Sequence, residues 1–362
     1  MRWAFQIKPL AGELLSGYLC RAAFAHGASP YGFCALHFED NALWARDIDR
    51  GAVCRYNEIL QEKAGLSLQQ IRMLTLDDWL VQLTPADYRR PQPAAVTPWV
   101  NAVGVFHRIR RQHALQFCPG CLTETGVIQK QWRLSFIIAC ERHQVPLLDG
   151  CPRCDAPFVP HRATGRMYRC YNCHEMLATA RHATGVSTQA QGPSIRFQQQ
   201  LYEHLTGLGQ QPKTSPIDFD LVSLRDLSSV FLCGQRAETT MDLLDLPRGT
   251  NLGTRLEFAR NAVRTRMVAA CCALVKSWPE SFRMLALKFN FTQRRFAFRK
   301  AHSPWLAQEI SRLPSGGTRS PRRRCGGTTS MEARISKLGQ EQPHNWRASR
   351  AALMFRAVHN SK

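Results

Sequence analysis

Eight residues fall into two sets whose spacing is typical of metal ligands. The first set is a Cys-x-x-Cys pair followed by a Cys-x-x-His pair, and the second is two Cys-x-x-Cys pairs. The ligands of the first set are Cys118, Cys121, Cys140 and His143, and those of the second are Cys151, Cys154, Cys170 and Cys173. Two residues between paired donors let both side chains turn toward one ion, and four such donors complete the tetrahedral coordination of Zn²⁺. The pattern predicts two structural zinc ions, with no coordination position left for a catalytic water.

Unliganded thiols or an iron–sulfur cluster are the alternatives to zinc, and a cross-brace would use the same eight residues in a different pairing. We favour consecutive pairing, in which each set binds its own ion. Residues 114–182 then form one tandem zinc-ribbon-like module, and metal binding must supply its folding energy because its small loops cannot bury a core alone. The other seven cysteines lack ligand spacing and are expected to be small buried apolar residues.

The sequence lacks the motifs of several common enzyme classes. It has no phosphate-binding loop, no zinc-deaminase order of motifs, no G-x-S-x-G and no H-E-x-x-H. Four carboxylates could in principle bind Mg²⁺ in a nuclease, but dispersed acids usually serve as surface charge; they are Asp47, Asp49, Asp77 and Asp78. We therefore predict that the chain is not an enzyme and has no catalytic residues.

The chain is strongly basic. Its 48 Lys and Arg residues exceed its 27 Asp and Glu residues, which gives a net charge of +21 over 362 residues. Such an excess favours a polyanionic partner, either nucleic acid or an anionic membrane surface. No apolar stretch approaches the roughly 20 residues that span a bilayer, and residues 1–17 lack the apolar block of a signal peptide. We therefore predict a cytoplasmic protein that binds DNA and does not contact a membrane.

Residues 57–76 contain the clearest local pattern. A helix over 57–64 ends at Gly65, and Ser67 with Gln70 forms a capping box that opens a second short helix. Two helices joined by such a turn are typical of a helix-turn-helix, although a plain helical hairpin gives the same pattern. The candidate DNA contacts are polar or basic residues in the second helix, in the basic segment 106–113 and between the zinc ligands: Gln69, Gln70, Arg72, Arg108, Arg110, Arg111, Lys130 and Arg133.

Shifts in composition predict a mainly α, multidomain chain. An N-terminal helical domain over 1–84 precedes a proline-rich linker and basic segment over 85–113. After the zinc module, we expect a C-terminal helical domain over 190–300, in which 255–278 forms one long helix with an apolar stripe and its arginines largely elsewhere. Residues 301–362 are rich in Gly, Ser and Arg and are predicted to be a disordered basic tail.

Several of these motifs, in this order, resemble the TniQ family of transposition proteins. They are F-C-P-G-C-L at 117–122, Gln131-Trp132-Arg133, C-E-R-H at 140–143, Leu147 and C-P-R-C at 151–154, together with the opening segment 9–21, A-G-L-S at 64–67 and Trp278-Pro279. The resemblance covers about residues 5–290, and the sequence departs from the family's pattern after about residue 300. It implies an N-terminal helix-turn-helix part, a zinc-binding part and a helical C-terminal part.

The resemblance also implies a function. TniQ-like proteins help to choose where a bacterial transposon inserts, alongside a separate transposase and an ATPase regulator, and some dock on an RNA-guided complex. We therefore predict a non-catalytic adaptor that binds DNA and these proteins. The alternatives are a zinc-containing, sequence-specific transcription regulator and, further from the pattern, a metal-dependent nuclease.

Overall fold

The computed structural model describes residues 2–40, 42–84, 97–103, 105–106, 109–110, 113–163, 168–177, 192–207, 219–249 and 252–316, with the backbone alone at 52–54, 105–106 and 109–110. In this part of the chain, twelve α-helices accompany two small antiparallel sheets, which confirms a mainly helical fold. None of these helices combines the length and the apolar character needed to cross a membrane.

Five helices form the N-terminal region: α1 (Leu15–Ala25), α2 (Pro30–Phe38), α3 (Ala52–Ala64), α4 (Leu68–Leu74) and α5 (Asp77–Leu83). Helix α1 buries Tyr18, Leu19 and Ala22, which recur at intervals of three and four residues and therefore share one face. Ser29 caps α2 by accepting a hydrogen bond from the Gly32 N–H at 3.1 Å. The two helices predicted around Gly65 are confirmed as α3 and α4, although α3 begins five residues earlier, at Ala52.

Helices α3 and α4 are joined by the predicted turn. Gly65 ends α3 in the left-handed conformation, with φ of 69°. The backbone N–H of Gln70 donates to Ser67 Oγ at 3.2 Å, and the N–H of Ser67 donates to Gln70 Oε1 at 2.8 Å. Leu66 and Ile71 are both buried on either side of this capping box. The turn therefore satisfies its own backbone donors and fixes the start of α4.

The middle of the chain contains short elements rather than long ones. They are strands β1 (Val105–Phe106) and β2 (Ile109–Arg110), helix α6 (Pro119–Thr125), strands β3 (Ala139–Cys140) and β4 (Val145–Pro146), and 3₁₀ turns at Lys130–Arg133 and Pro160–Arg162. Val105 pairs with Arg110 in the first sheet, and Cys140 pairs with Val145 in the second.

Six helices form the C-terminal region: α7 (Gly192–Thr206), α8 (Leu221–Phe231), α9 (Arg236–Leu243), α10 (Asn261–Lys276), α11 (Glu280–Lys288) and α12 (Pro304–Ser311). The predicted single helix over 255–278 is wrong at its start. A 3₁₀ turn at Leu256–Phe258 is followed by extended residues, and α10 begins only at Asn261. Arg264 was expected away from the apolar face, yet it is fully buried and donates to Asn101 Oδ1 at 2.6 Å.

Two predicted irregular segments contain folded parts. Residues 85–96 of the predicted linker lie outside the described residues, but Trp99 is fully buried and its indole donates to the Leu221 carbonyl at 2.6 Å. At the other end, α12 buries Leu306 within the helical region, so the folded chain continues past residue 301 to Gly316. Residues 317–362 of the predicted tail are not among those described.

The buried apolar side chains of all three regions form one connected core, from Trp3 to Ile310. Residues 1–316 accordingly make up one compact unit. The two cysteine-rich loops lie within this unit, between the N-terminal and C-terminal helices. The domain boundaries near 84 and 182 stay predictions.

Candidate metal centres

The first group of ligands comes from one helix start and one hairpin turn. Cys118 precedes α6 and Cys121 lies in its first turn, whereas Cys140 ends β3 and His143 lies in the turn to β4. Three donor atoms surround His143 Nδ1: Cys118 Sγ at 3.4 Å, Cys121 Sγ at 3.4 Å and Cys140 Sγ at 3.5 Å. These separations are close to the roughly 3.8 Å edge of a tetrahedron with Zn–S bonds of about 2.3 Å.

The second group is built from two similar turns. Cys151 Sγ lies 3.6 Å from Cys173 Sγ, and Cys154 Sγ lies 3.6 Å from Cys170 Sγ. Within each group, the four donor atoms lie within 4.8 Å of one another, so each could hold one metal ion. The grouping is consecutive along the chain, as predicted, and the cross-brace pairing does not occur.

Three of the four ligand pairs are followed by the same backbone turn. Gln144, Asp155 and His174 each follow the second ligand of a pair and adopt positive φ values of 53°, 55° and 60°. Each donates its backbone N–H to the carbonyl of the first cysteine of its pair, at 2.8, 2.8 and 3.0 Å. This turn leaves both side chains of the pair on the same side. His174 therefore serves in the turn, and Cys173 occupies the ligand position.

Crowding of the thiols separates their pKa values. Hydrogen bonds with Cys118 and Cys121 lower the pKa of Cys140. The pKa of Cys121 is raised by its own hydrogen bonds with Cys118 and Cys140. Burial raises the pKa of Cys151 to about 12, and at Cys154 hydrogen bonds outweigh burial and lower the pKa to about 6. Several thiolates cannot share one small volume without a cation, and a divalent metal provides that charge.

Glu124 is a functional residue that the sequence reasoning missed. Its Oε1 lies 3.0 Å from His143 Nε2, on the side of the ring away from the thiols. The hydrogen bond with Cys140 and the bond with Glu124 raise the pKa of His143. A carboxylate on the outer nitrogen of a ligating histidine fixes the tautomer and the ring orientation. Only the tertiary structure brings Glu124 into this position, although it follows the Cys-x-x-Cys pair by three residues.

Arg133 corrects one of the predicted DNA contacts. Its guanidinium is fully buried and donates to Asp47 at 2.6 Å and to Asp49 at 2.7 Å. Asp49 also accepts from the backbone N–H of Ser16 at 2.8 Å, in the first turn of α1. Arg133 therefore ties the metal-binding region to the N-terminal helices and cannot reach DNA. Asp47 and Asp49, interpreted from the sequence as surface charge, pair with Arg133 instead, and Asp49 is fully buried whereas Asp47 is partly buried.

The other candidate DNA contacts differ in exposure. Gln69 and Arg72 are exposed on α4, while the side chain of Gln70 is held in the capping box. Lys130 is half-buried, with its Nζ 4.4 Å from the centre of the Trp79 ring. The remaining candidates lie outside the described side chains: Arg108, Arg110 and Arg111.

The second metal group contacts the C-terminal helices. Arg260, directly before α10, donates to Asp149 at 3.0 Å and to Asp155 at 2.8 Å. Asn261 continues this contact by donating to the carbonyls of Ile138 at 2.9 Å and Leu147 at 2.7 Å. The metal-binding region therefore contacts both the N-terminal and the C-terminal helices. A change in either group of ligands is expected to alter these contacts.

Comparison with known proteins identifies the N-terminal part of the chain. Residues 4–147 match the model of the TniQ family. The match contains α1 to α6 and the whole first ligand group, which confirms the resemblance inferred from the sequence, but it does not extend over 148–290. No curated protein matches the chain significantly. The match indicates a transposition-associated accessory role.

Proposed function

We propose that this TniQ protein is an adaptor that directs target-site selection in DNA transposition and makes or breaks no bonds itself. The observation that carries the proposal is the match of residues 4–147 to the TniQ family. In this role the chain joins target DNA, or a targeting complex, to an ATPase regulator and a transposase. The ion pairs of Arg133 support such a role because they join the metal-binding region to the N-terminal helices, which include the candidate DNA-binding helix α4.

The proposed cofactor is a pair of structural Zn²⁺ ions. Three thiols and one imidazole in the first group, and four thiols in the second, are the donor sets that zinc prefers. Bound zinc would supply a cross-link between the separate turns that carry the ligands of each group. Glu124 would hold the His143 ring in place, and the turns at Gln144, Asp155 and His174 would hold the backbone.

The proposed DNA contact is the exposed face of α4. Gln69 and Arg72 are residue types that recognise base edges, and both side chains are exposed. Helix α4 packs on α3 and α1, and its start is fixed by the capping box of Ser67. A short helix held in this way can present two side chains to a groove of DNA, as the second helix of a helix-turn-helix does.

The decisive experiment maps insertions of the cognate transposon with and without this chain. We expect insertions to lose their preferred sites when the chain is omitted, and we expect the chain to co-purify with the ATPase regulator or the transposase. Random insertion in both cases, with no co-purification, would contradict the adaptor role.

A paired variant tests the proposed DNA contact. Gln69→Ala with Arg72→Ala should weaken DNA binding by about ten-fold. Gln308→Ala with Lys288→Ala, which removes one glutamine and one positive charge from exposed positions on α12 and α11, should leave it unchanged. Equal affinity of the two variants would move the DNA contact away from α4.

A transcription regulator is the second candidate, because exposed Gln69 and Arg72 would serve an operator equally well. It predicts one defined DNA sequence bound about 10³-fold or more tightly than random DNA at physiological salt. The adaptor predicts no such operator in the absence of its partners. A binding selection from random duplexes, carried out with the purified chain, distinguishes the two.

A further inference from the structure

Four arginines from separate segments line one cavity in the C-terminal helices. The cavity has a volume of about 380 Å³, and all of its lining residues except Pro98 lie outside the segment that matches TniQ. Its basic lining residues are Arg225 on α8, Arg236 at the start of α9, Arg255 before the 3₁₀ turn, and Arg295 between α11 and α12. No sequence pattern predicts this cluster, because the four residues are spread over 70 positions of the chain.

The acids near the cavity are already paired. Glu257 is buried and accepts two hydrogen bonds from Arg225, at 2.5 and 2.6 Å. Asp226, the one carboxylate in the cavity lining, accepts from Arg299 at 3.0 Å. Each of these two ion pairs is neutral within itself. Neither carboxylate therefore offsets the positive charge of the other three lining arginines.

Arg236, Arg255 and Arg295 form no ion pair with a carboxylate in the described part of the chain. The guanidinium carbons of Arg236 and Arg295 lie 6.0 and 5.8 Å from the centre of the same Phe291 ring. Burial and the neighbouring charge of Arg236 lower the pKa of Arg295. Three like charges thus line one cavity, and a bound anion would offset their mutual repulsion.

The fold holds these arginines in place. The Arg236 Nε donates to the Val230 carbonyl at 2.8 Å, which fixes the side chain against the end of α8. Arg255 is positioned by a close approach of two glycines: the Gly234 N–H donates to the Gly253 carbonyl at 2.8 Å. A Cβ on Gly253 would lie 2.5 Å from the Gly234 carbonyl oxygen, so only glycine allows this approach.

We propose that this arginine pocket binds backbone phosphates of a nucleic-acid strand, as a second contact separate from α4. Arginine presents a planar fork of donors that matches phosphate oxygens, and three such forks around one cavity suit a phosphodiester and its neighbour. The half-exposed ring of Phe298 in the lining offers a surface for a sugar or base. The inference extends the proposed function from one nucleic-acid contact to two.

The test measures binding of the full-length chain to labelled single-stranded DNA, RNA of the same sequence and duplex DNA, by fluorescence anisotropy over a range of salt concentrations. The test variant is Arg255→Gln with Arg295→Gln, since both side chains are exposed and neither is needed by the core. The control is Arg248→Gln with Lys288→Gln, which removes the same charge from exposed positions outside the cavity lining.

We expect the test variant to bind nucleic acid about ten-fold or more weakly, and the slope of log K against log salt to fall by about 2. The control should keep the affinity and the slope of the wild type. Any contribution of the basic residues after 316 is common to all variants and cancels in the comparison. Arg255→Lys with Arg295→Lys should keep the slope while losing part of the affinity, because lysine retains the charge but not the fork. The three probes show whether DNA, RNA or both supply the phosphate.

Unchanged affinity and slope in a test variant that melts like the wild type would overturn the proposal. Loss of binding to a poly-glutamate peptide alone, with nucleic-acid binding intact, would also overturn it and assign the pocket to an acidic protein partner. The assay needs no transposition partner, so its outcome is independent of the insertion-mapping experiment. A positive binding assay with a negative insertion-mapping experiment would support the phosphate pocket and contradict the adaptor role, and the opposite results would do the reverse.

Discussion

Gly120 and His143 approach so closely that no larger residue fits between their segments. A Cβ on Gly120 would lie 2.6 Å from His143 Nε2 and 2.7 Å from Cδ2. The same nitrogen, His143 Nε2, also lies 3.0 Å from Glu124 Oε1. The position of the imidazole is thus set by the helix start that carries Cys118 and Cys121, and not by the hairpin alone.

Gly120→Ala should therefore displace the His143 ring and weaken metal binding at the first group by about ten-fold or more, since misplaced ligands lose coordination geometry. Chelator competition on the purified chain measures this effect. Gly192→Ala is the matched control, because its added Cβ meets only the Arg196 side chain, at 3.9 Å. Equal metal affinity in both variants would show that the ring has room to move.

Glu124→Gln should lower metal affinity at the first group by about 10- to 100-fold, because the amide accepts a weaker hydrogen bond from the imidazole than the carboxylate does. The same chelator competition provides the measurement. Glu175→Gln serves as the control, since the side chain of Glu175 pairs only with the exposed Arg153, at 3.3 Å. If the two variants retain equal affinity, Glu124 has no role in orienting His143.

Metal removal should unfold the region between 114 and 177. We expect elemental analysis of the folded chain to find two Zn²⁺ ions per molecule, and chelation to expose this region to protease while the helical signal falls. Each group of ligands joins two separate turns of the chain, and bound metal supplies the folding energy of such a link. Unchanged protease resistance after complete removal of metal would disprove the structural role.

Arg133→Met should destabilise the chain by about 3–5 kcal/mol, because the change leaves Asp49 buried without its positive partner. Arg72→Met, at an exposed position of α4, should change stability by less than about 0.5 kcal/mol. Urea unfolding followed by circular dichroism compares the two. Similar free energies of unfolding for both variants would mean that the Arg133 ion pairs contribute little.

Stability should depend on the ionisation of Glu257. Burial alone would raise its pKa, but Arg225 outweighs burial and holds the pKa below the usual 4.5. A depressed pKa in the folded state stabilises the protein above pH 4.5, and this contribution is lost as the pH falls through the folded-state value. The unfolding free energy of Glu257→Gln should therefore fall below that of the wild type at pH 7 and converge with it in acid.

Urea midpoints at a series of pH values test this dependence, with Glu203→Gln on the exposed face of α7 as the control. The control should follow the wild type at every pH. A constant difference between Glu257→Gln and the wild type down to pH 3 would assign the loss to packing rather than to charge.

The sequence by itself determined the features that depend on neighbouring residues. The Cys-x-x-Cys and Cys-x-x-His spacings predicted the ligand pairs, and Ser67 with Gln70 predicted the start of α4, because the two residues of each pair are three positions apart. Ordered motifs also identified the TniQ resemblance, which the match to 4–147 confirms.

Only the tertiary structure decided which charged residues are exposed. Arg133 and Arg264 are basic residues in a basic chain, yet both are buried and donate hydrogen bonds to partners more than 80 positions away. Arg255 and Arg295 are exposed and meet in one cavity because α8, α9 and the segments around them fold together. Residue type fixes charge, but desolvation and pairing depend on which distant segments pack against it, and no local pattern contains that information.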